Sequence, residues 1–418
     1  MRRELTRDYL HEEWSSRGNR PGLTKRALSE FPRGQVDWRQ SDGHCRRPKS
    51  ELPLTELNKL LKEQIYFSFF SSLFEGERLN IAYFRLFVKK SEIYQFIMKK
   101  TIVAIMGGYS KEREVSLVTG RAICKNLDKT KYKVIPLDWG KDGKFYLCKN
   151  GRKQFDLFGN RKKIDKVFIA LHGTGGEDGC IQGLLECFGI SYTGSDVVSS
   201  AVAMNKVLSA GVYRRMGILT PDFIDFKKGE WLKEKKKIIG LIKKKIGFPL
   251  VIKPVDQGSS VGVYIIRKEK ELIPAIKKSF QTSNWLMAQK FVKGEEATCG
   301  VLEKNGKAFA LPPTRIVANA GKFYDYKSKY KTGGSTHICP ADFKPAINKK
   351  IQDLAVRSHR GFDCCGMSRT DFFVTPKNKI YAIEINTIPG MTPMSLLPEA
   401  AGKMGVSFSK MLDLIIMS

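Results

Sequence analysis

The sequence predicts an α/β protein with an α+β C-terminal half, preceded by a disordered extension. From Thr101 onwards, short apolar strands alternate with helical segments, the pattern of a doubly wound parallel sheet. From Met287 onwards, strands predominate, as in α+β structures. Residues 1–50 are instead rich in arginine and show no sustained apolar periodicity, which is typical of disorder.

The extension is predicted to cover residues 1–97, because the composition shifts near Met98. Residues 53–97 hold short amphipathic pieces, enough for one or two weak helices. Four acidic side chains near the start argue against an organellar transit peptide: Glu4, Asp8, Glu12 and Glu13. Met98 leads straight into a strand, as an ordinary protein start does. We therefore hypothesise that residues 1–97 are dispensable, as translated upstream sequence would be.

The elements after Met98 follow from apolar patterning and glycine punctuation. In chain order they are strand Thr101–Met106, helix Arg113–Leu127, strands Lys133–Leu137 and Lys166–Leu171, helices Gly179–Phe188 and Val197–Met216, and strands Leu250–Lys253 and Gly262–Ile266. Because helices separate the first strands, these strands are expected to pair in parallel.

Length and composition restrict the class of protein. The chain has 418 residues, of which 42% are apolar, enough for a globular protein of two or three domains. No apolar run approaches the roughly 20 residues that span a bilayer, so no membrane partner is expected. The nine cysteines form no CxxC pair, and no secretory signal is seen, which favours free thiols in a reducing compartment. The sequence therefore predicts a cytoplasmic protein.

The formal net charge of +31 raises the question of a nucleic-acid partner. The lysines are spread along the chain, and runs such as Lys233–Lys237 and Lys243–Lys245 lie in helix-like segments, which is typical of solvated helix faces. A positive field would also attract anionic nucleotides. We expect no nucleic-acid partner. The opposing hypothesis predicts salt-dependent nucleic-acid binding that does not need the acidic residues described next.

Two apolar strands near the C-terminus carry the strongest functional signal. Side chains alternate along a strand, so Arg369 and Asp371 share one face, and Glu384 and Asn386 share one face of the partner strand. Three oxygen ligands beside one arginine suit Mg²⁺, which usually works together with substrate phosphates. The alternative is a salt bridge from Arg369 to one of the carboxylates. We favour the metal, because it accounts for all three oxygen-bearing residues.

Three glycine-containing loops follow strands and are candidate anion sites. The first, Gly107–Glu114, is explained equally well as a ligand site or as a helix start capped by Ser110. The second, His172–Gly179, opens a helix and can present backbone N–H groups to an anion. In the third, Lys253 leaves a buried strand before Gly258–Gly262 and can meet phosphate as a point charge, although a plain hairpin loop is an equal alternative.

Together these motifs resemble the D-alanine–D-alanine ligase family of the ATP-grasp superfamily. Seven motifs occur in the family's order between Met98 and the C-terminus: GGYSKEREVSL, HGTGGEDGCIQGLLE, YTGSDVVSSAVAMNK, VIKPVDQGSSVGV, FYDYKSKY, SRTDFF and EINTIPGMTPMSL. The resemblance leaves residues 1–97 uncovered. It implies a three-domain ATP-grasp architecture, with an N-terminal domain at 98–195, a central domain at 196–289 and a catalytic domain at 290–418.

The resemblance also implies how the nucleotide is held, between the central and C-terminal domains. Lys206 and Lys253 would contact the phosphates of ATP, and Lys329 would reach the γ-phosphate. Gln289, Lys290 and Val292 would line the adenine pocket, and Glu296 would bind the ribose. Asp371, Glu384 and Asn386 would hold Mg²⁺, usually as two ions, for which Mn²⁺ can substitute.

The family's substrates are two molecules of D-alanine, which are joined for peptidoglycan precursor synthesis. The resemblance assigns Glu112 to the ammonium group of the first D-alanine, and Ser395 to the carboxylate of the second. Arg369 and the N–H of Gly390 would form the oxyanion hole. Ser259 and Tyr330 would link with Glu112. Family members are often homodimers, so a homodimer is expected.

Two positions bear on specificity. Gln289 stands where the family often carries a glutamate facing the adenine amino group, which puts nucleotide affinity in question. Tyr330 favours D-alanine as the second substrate, because a phenylalanine there accompanies use of D-lactate in related ligases. D-Lactate and D-serine remain the alternative acceptors.

Overall fold

The computed structural model describes residues 99–148, 152–258, 260–318, 335–392 and 394–418. The extension predicted over 1–97 lies outside these residues, as do Ser259, Lys329 and Tyr330. None of the helices in the described ranges is long and apolar enough to cross a membrane.

The first sheet is mostly parallel, as predicted. Its strands are β1 (Lys100–Gly107), β2 (Tyr132–Trp139), β3 (Phe145–Leu147) and β4 (Lys166–Ile169), in the order β3-β2-β1-β4. Strand β1 pairs in parallel with both β2 and β4, and β3 adds an antiparallel edge. Helix α1 (Arg113–Asn126) follows β1, and helix α2 (Cys180–Cys187) follows β4. Residues 102–106 are fully buried, which explains the uninterrupted apolar run in β1.

Two helices stand where the sequence predicts one over Val197–Met216, so that prediction is wrong. Helix α3 (Val197–Met204) ends at Asn205, and helix α4 (Lys206–Arg215) begins directly after it. Asn205 is extended, and its Oδ1 accepts hydrogen bonds from the N–H groups of Val207 and Leu208. An asparagine in this geometry is a favourable N-cap, which explains the break.

The second sheet is antiparallel and packs against helices on one face. It contains β5 (Phe223–Lys227), β6 (Leu250–Pro254), β7 (Tyr264–Ile266) and β8 (Trp285–Lys290), in the order β5-β8-β6-β7. Its helices are α5 (Lys228–Leu241), which continues into a π-helical turn at Ile242–Ile246, and α6 (Leu272–Ser279). The lysine runs predicted to lie in helices do so.

The third sheet carries the acidic strand pair. It has the order β12-β11-β9-β13-β14, with β10 paired to β9. Its strands are β9 (Glu295–Lys304), β10 (Lys307–Ala310), β11 (Thr314–Ala318), β12 (Ser335–Ile338), β13 (Met367–Val374) and β14 (Ile380–Asn386). Three helices accompany it: α7 (Pro345–Gly361), α8 (Leu396–Lys403) and α9 (Phe408–Met417).

Helices α8 and α9 also join the first sheet. Buried residues of both helices, such as Leu397 and Met411, belong to the same apolar cluster as Ile102 and Ile105 of β1. The Lys166 Nζ donates to the carbonyl oxygens of Ile416 and Ser418. Helices α8 and α9, which accompany the third sheet, therefore also pack against the first sheet near β1. The domain limits given above stay a prediction.

Candidate active site

Strands β13 and β14 place four polar side chains on one face. The strands are antiparallel, with Arg369 opposite Asn386 and Asp371 opposite Glu384. The register shifts after Asp371, so the regular alternation ends at the site. This register confirms the shared face predicted from side-chain alternation.

Arg369 and Asp371 form a bidentate ion pair. Arg369 Nε donates to Asp371 Oδ1 and Nη2 to Oδ2, both at 2.8 Å. Thr298 Oγ1 also donates to Asp371 Oδ1, at 2.6 Å. The salt bridge considered as an alternative from the sequence is therefore present. It fixes both side chains in a position where Asp371 is only 7% exposed.

The donor set on these strands consists of oxygen atoms, which Mg²⁺ prefers. Asp371, Glu384 and Asn386 line one cleft, where they offer two carboxylates and one amide oxygen. The described ranges hold no cluster of three or more His, Cys, Asp or Glu side chains arranged for a metal ion. Oxygen ligands with few protein carboxylates are what Mg²⁺ uses when substrate phosphates complete its shell.

Two neighbouring cavities meet at these strands. The large cleft has a volume of about 700 Å³, and the small cavity has a volume of about 100 Å³. Both are lined by Lys206, Asp371 and Glu384. A ligand group at this junction therefore reaches both spaces.

The small cavity collects the residues that the resemblance assigned to ATP, as far as they are described. Its lining includes Lys206, Lys253, Gln289, Lys290, Val292 and Glu296. Burial and the neighbouring Lys206 lower the pKa of Lys253 from its ordinary 10.5 to about 8, whereas Glu384 acts in the opposite direction. Lys206 Nζ donates to the carbonyl oxygen of Gln257 at 2.6 Å and lies 3.9 Å from Glu384 Oε2. The cavity thus holds two largely desolvated cations, a good setting for phosphate.

The large cleft contains Glu112, Arg369, Gly390 and Ser395. Glu112 is 9% exposed. A Cβ on Gly258 would lie 2.9 Å from Glu112 Oε1, and a Cβ on Gly173 would lie 3.1 Å from it. The glycines therefore allow the second and third loops to approach the Glu112 carboxylate closely.

Ser110 does not cap helix α1, contrary to the structural explanation offered for its loop. The N-cap is Glu112, with no side-chain cap bond. Ser110 Oγ instead accepts from the N–H of Glu112 at 3.1 Å and donates to the carbonyl oxygen of His172 at 2.6 Å. The hydroxyl therefore ties the first loop to the second and holds the backbone of Glu112.

At the other wall of the cleft, Ser395 is the N-cap of helix α8. Its Oγ accepts from the N–H of Thr392 at 3.0 Å and lies 2.8 Å from Thr392 Oγ1. A Cβ on Gly390 would come within 3.1 Å of the same Oγ. Gly390 and Ser395 are thus neighbours, as the proposed oxyanion and carboxylate contacts require.

Comparison with known proteins agrees with this geometry. The family model described as D-ala D-ala ligase C-terminus matches residues 212–417, and the model described as D-ala D-ala ligase N-terminus matches residues 101–158 and 148–195. The chain belongs to the D-alanine–D-alanine ligase family. The recognition made from the seven motifs is confirmed.

Named members of the D-alanine–D-alanine ligase family cover the same part of the chain. The D-alanine–D-alanine ligase of Syntrophotalea carbinolica is 39% identical over 322 residues, which is 77% of this chain and 97% of the relative. That of Geobacter sulfurreducens is 37% identical over 318 residues, which is 76% of this chain and 93% of the relative.

Solved structures of the family show the same fold. The D-alanine–D-alanine ligase from Bacillus anthracis complexed with ATP has a TM-score of 0.62 at 34% identity, and the match covers 76% of this chain and 96% of that chain. The VanG D-Ala:D-Ser ligase from Enterococcus faecalis has a TM-score of 0.68 at 32% identity, and the match covers 76% of this chain and 99% of that chain.

One residue of the large cleft, His337, was not among the site residues predicted from the sequence. His337 lies on β12, and its Nδ1 is 3.0 Å from Glu399 Oε2 on helix α8. It therefore connects β12 to the helix that Ser395 begins. The sequence signal near it is only the glycine pair Gly333–Gly334 before a short strand, and the pairing of β12 with β11 carries His337 to the cleft.

Proposed function

We propose that this protein is an ATP-dependent ligase that joins two D-alanine molecules into D-alanyl-D-alanine through an acyl phosphate. The product is a peptidoglycan precursor for the cell wall, and we place the enzyme in the cytoplasm as a homodimer. The observation that carries the proposal is the junction of the two cavities at Lys206, Asp371 and Glu384. A phosphate-handling cavity that opens into a second substrate cleft suits transfer of a phosphoryl group to a carboxylate.

In this proposal, the small cavity receives the adenosine part of ATP, and the phosphates lie at its junction with the large cleft. Lys206 and Lys253 hold its phosphates, and the lowered pKa of Lys253 reflects the burial that strengthens the interaction with an anion. Gln289, Lys290 and Val292 surround the adenine, and Glu296 binds the ribose. Lys329, which lies outside the described residues, would reach the γ-phosphate.

Asp371, Glu384 and Asn386 are the residues that would hold Mg²⁺, and Mn²⁺ has the same preference for oxygen ligands. When bound, the metal neutralises charge on the transferring phosphoryl group. Asp371 is positioned for this by Arg369 and Thr298. The site needs the β13–β14 register, because a shift of one residue would turn these side chains to the opposite face.

The first D-alanine binds with its ammonium group at Glu112 and its carboxylate toward the γ-phosphate. Attack of a carboxylate oxygen on the γ-phosphorus breaks the bond to the β-phosphate oxygen and gives the acyl phosphate and ADP. The low exposure of Glu112 strengthens its interaction with the ammonium group and orients the substrate. Ser259 and Tyr330, which lie outside the described residues, would link with Glu112.

The second D-alanine attacks the acyl carbon with its amine. A tetrahedral oxyanion forms, and its collapse releases phosphate as the peptide bond is made. Arg369 and the N–H of Gly390 would stabilise the oxyanion, because both are donors that line the cleft and Arg369 is held in place by Asp371. Ser395 binds the carboxylate of this second substrate, beside Gly390.

ADP release by the purified full chain tests the proposal. We expect release that depends on D-alanine, with little release when L-alanine replaces it. Glu384→Gln should abolish this release. The same change at Glu234, a half-exposed residue of α5 paired with Lys237, should preserve it. ADP release that is indifferent to D-alanine would overturn the proposal.

A second acceptor deserves a separate arm of the same experiment, because one structural relative is named a D-Ala:D-Ser ligase. D-Serine or D-lactate supplied with limiting D-alanine should give little mixed product if D-alanine is the preferred acceptor. Mass spectrometry of the products separates the dipeptide from the mixed products. A predominance of D-alanyl-D-serine would keep the ligase chemistry and replace the acceptor.

A further inference from the structure

The two faces of strand β8 have different surroundings. Leu286 and Ala288 belong to the apolar cluster formed with helices α5 and α6. Alternation turns Gln289 to the opposite face. There it pairs with Val251 of β6, one alternate position from Lys253, and lines the small cavity. Gln289 is thus a buried polar residue that β8, one of the two central strands of this sheet, presents to the nucleotide space.

Gln289 is 5% exposed, and within the described part of the chain no hydrogen bond of its side-chain amide is found. The amide atoms are not among the fully enclosed, unpaired polar atoms of the described residues, so they face the cavity, where a ligand can pair with them. The cavity lining close to Gln289 by strand pairing or by sequence includes Val251, Phe291 and Val292, which are apolar, and Lys290, which is charged. The Gln289 amide is therefore a group that can hydrogen-bond with the polar edge of a base bound beside it.

A primary amide is both a donor and an acceptor. Its C=O can accept from an amino group, and after a half-turn about the terminal torsion its NH₂ can donate to a carbonyl in the same place. A carboxylate can only accept. Purines differ at position 6 in this respect, because adenine carries an amino group whereas hypoxanthine and guanine carry an oxo group.

Given the proposed function, we infer that Gln289 allows the cavity to take purine nucleoside triphosphates with either an amino or an oxo group at position 6. Ligation would then run on inosine or guanosine triphosphate as well as on ATP. The phosphoryl chemistry is unchanged, because the base is remote from the γ-phosphate and only the leaving diphosphate differs.

The backbone N–H groups beside Gln289 limit how well a purine with an oxo group at position 6 competes with adenine. The N–H groups of Lys290 and Phe291 donate to the carbonyl oxygens of Asp222 and Pro249, so they do not read the base. The N–H of Val292 has no backbone acceptor in the described part of the chain. It would favour N1 of adenine, which is an acceptor, over the protonated N1 of hypoxanthine. ATP should therefore remain the better substrate, by about tenfold, the worth of one hydrogen bond.

The experiment compares adenine with hypoxanthine, which avoids the additional amino group of guanine. Calorimetric titration of the full chain with ADP and with IDP, without D-alanine, gives the ratio of their dissociation constants. The same ratio is measured for kcat/KM of ATP and ITP with saturating D-alanine. The matched variants are Gln289→Glu, which is acceptor-only, and Gln289→Leu, which is apolar.

We expect IDP to bind the wild type about tenfold more weakly than ADP, and Gln289→Glu to widen this difference to about a hundredfold or more. Gln289→Leu should weaken both nucleotides and leave the ratio near that of the wild type. Equal ratios in the wild type and in Gln289→Glu would overturn the inference. If the ratios behave as expected but nucleotide turnover ignores D-alanine, the proposed function fails while the inference about the base stands.

Discussion

Replacing Lys253 with methionine should stabilise the nucleotide-free protein while it removes activity. The pKa of Lys253 is lowered from 10.5 to about 8, first by burial and then by Lys206. The folded state therefore disfavours the charged form, and at pH 7 this shift corresponds to a cost of about 3 kcal/mol. Methionine keeps the apolar stem and removes the buried charge, so this cost disappears.

The stability gained by Lys253→Met should depend on pH. Between pH 8 and 10.5 the unfolded chain binds more protons at this lysine than the folded chain, so the cost falls as pH rises. The advantage of Lys253→Met should therefore shrink from about 3 kcal/mol at pH 7 to about 1 kcal/mol at pH 9.5. ADP release by the variant should fall sharply at pH 7, because a phosphate contact is lost.

Urea denaturation in metal-free buffer without nucleotide measures the free energy of unfolding at both pH values. The control is Lys236→Met, on the exposed face of α5, which should change stability little and to the same extent at both pH values. The reasoning would be refuted if Lys253→Met were no more stable than the wild type at pH 7. It would also be refuted if its gain did not change with pH.

Three further changes probe other parts of the site. Arg369→Met should lower kcat by about 10²–10³-fold, because it removes an oxyanion donor, and steady-state kinetics would contradict this if kcat were unchanged. Tyr330→Phe should raise the ratio of depsipeptide to dipeptide when D-lactate competes with D-alanine. If the variant and the wild type gave the same ratio at every pH tested, the assignment would be contradicted. Removal of divalent ions with EDTA should stop ADP release, and added Mg²⁺ or Mn²⁺ should restore it, whereas activity in EDTA would exclude the proposed metal site.

The sequence predicts the arrangement of the catalytic strands well, because a strand has a simple period. Two residues per repeat suffice to place Arg369 with Asp371 and Glu384 with Asn386, and the pairing confirms both. The partners of these side chains were less predictable. Whether Arg369 pairs with Asp371 or with Glu384 depends on differences of an ångström or so, and the bulge after Asp371 is not visible in the pattern.

Local capping accounts for the errors. The apolar pattern over Val197–Met216 continues through Asn205, so periodicity alone predicts one helix. The Asn205 side chain competes with the helix backbone for the N–H groups of the next turn, and this local preference divides the helix. At Ser110 the capping alternative fails for the reverse reason, because a residue suited to capping binds a distant loop instead, through the carbonyl oxygen of His172.

Burial, rather than number, distinguishes the lysines that can act on a nucleotide. In the described part of the chain, many lysines are exposed, such as Lys237 and Lys243, where pairing with glutamate and screening by water leave little net effect. Lys253 is 6% exposed, and the side chain of Lys206 is 10% exposed. A charge in that setting acts at low effective dielectric, so two such cations affect a phosphate more than many solvated ones. The useful signal in the sequence was therefore a lysine at the end of an apolar strand, and the overall charge contributed little to it.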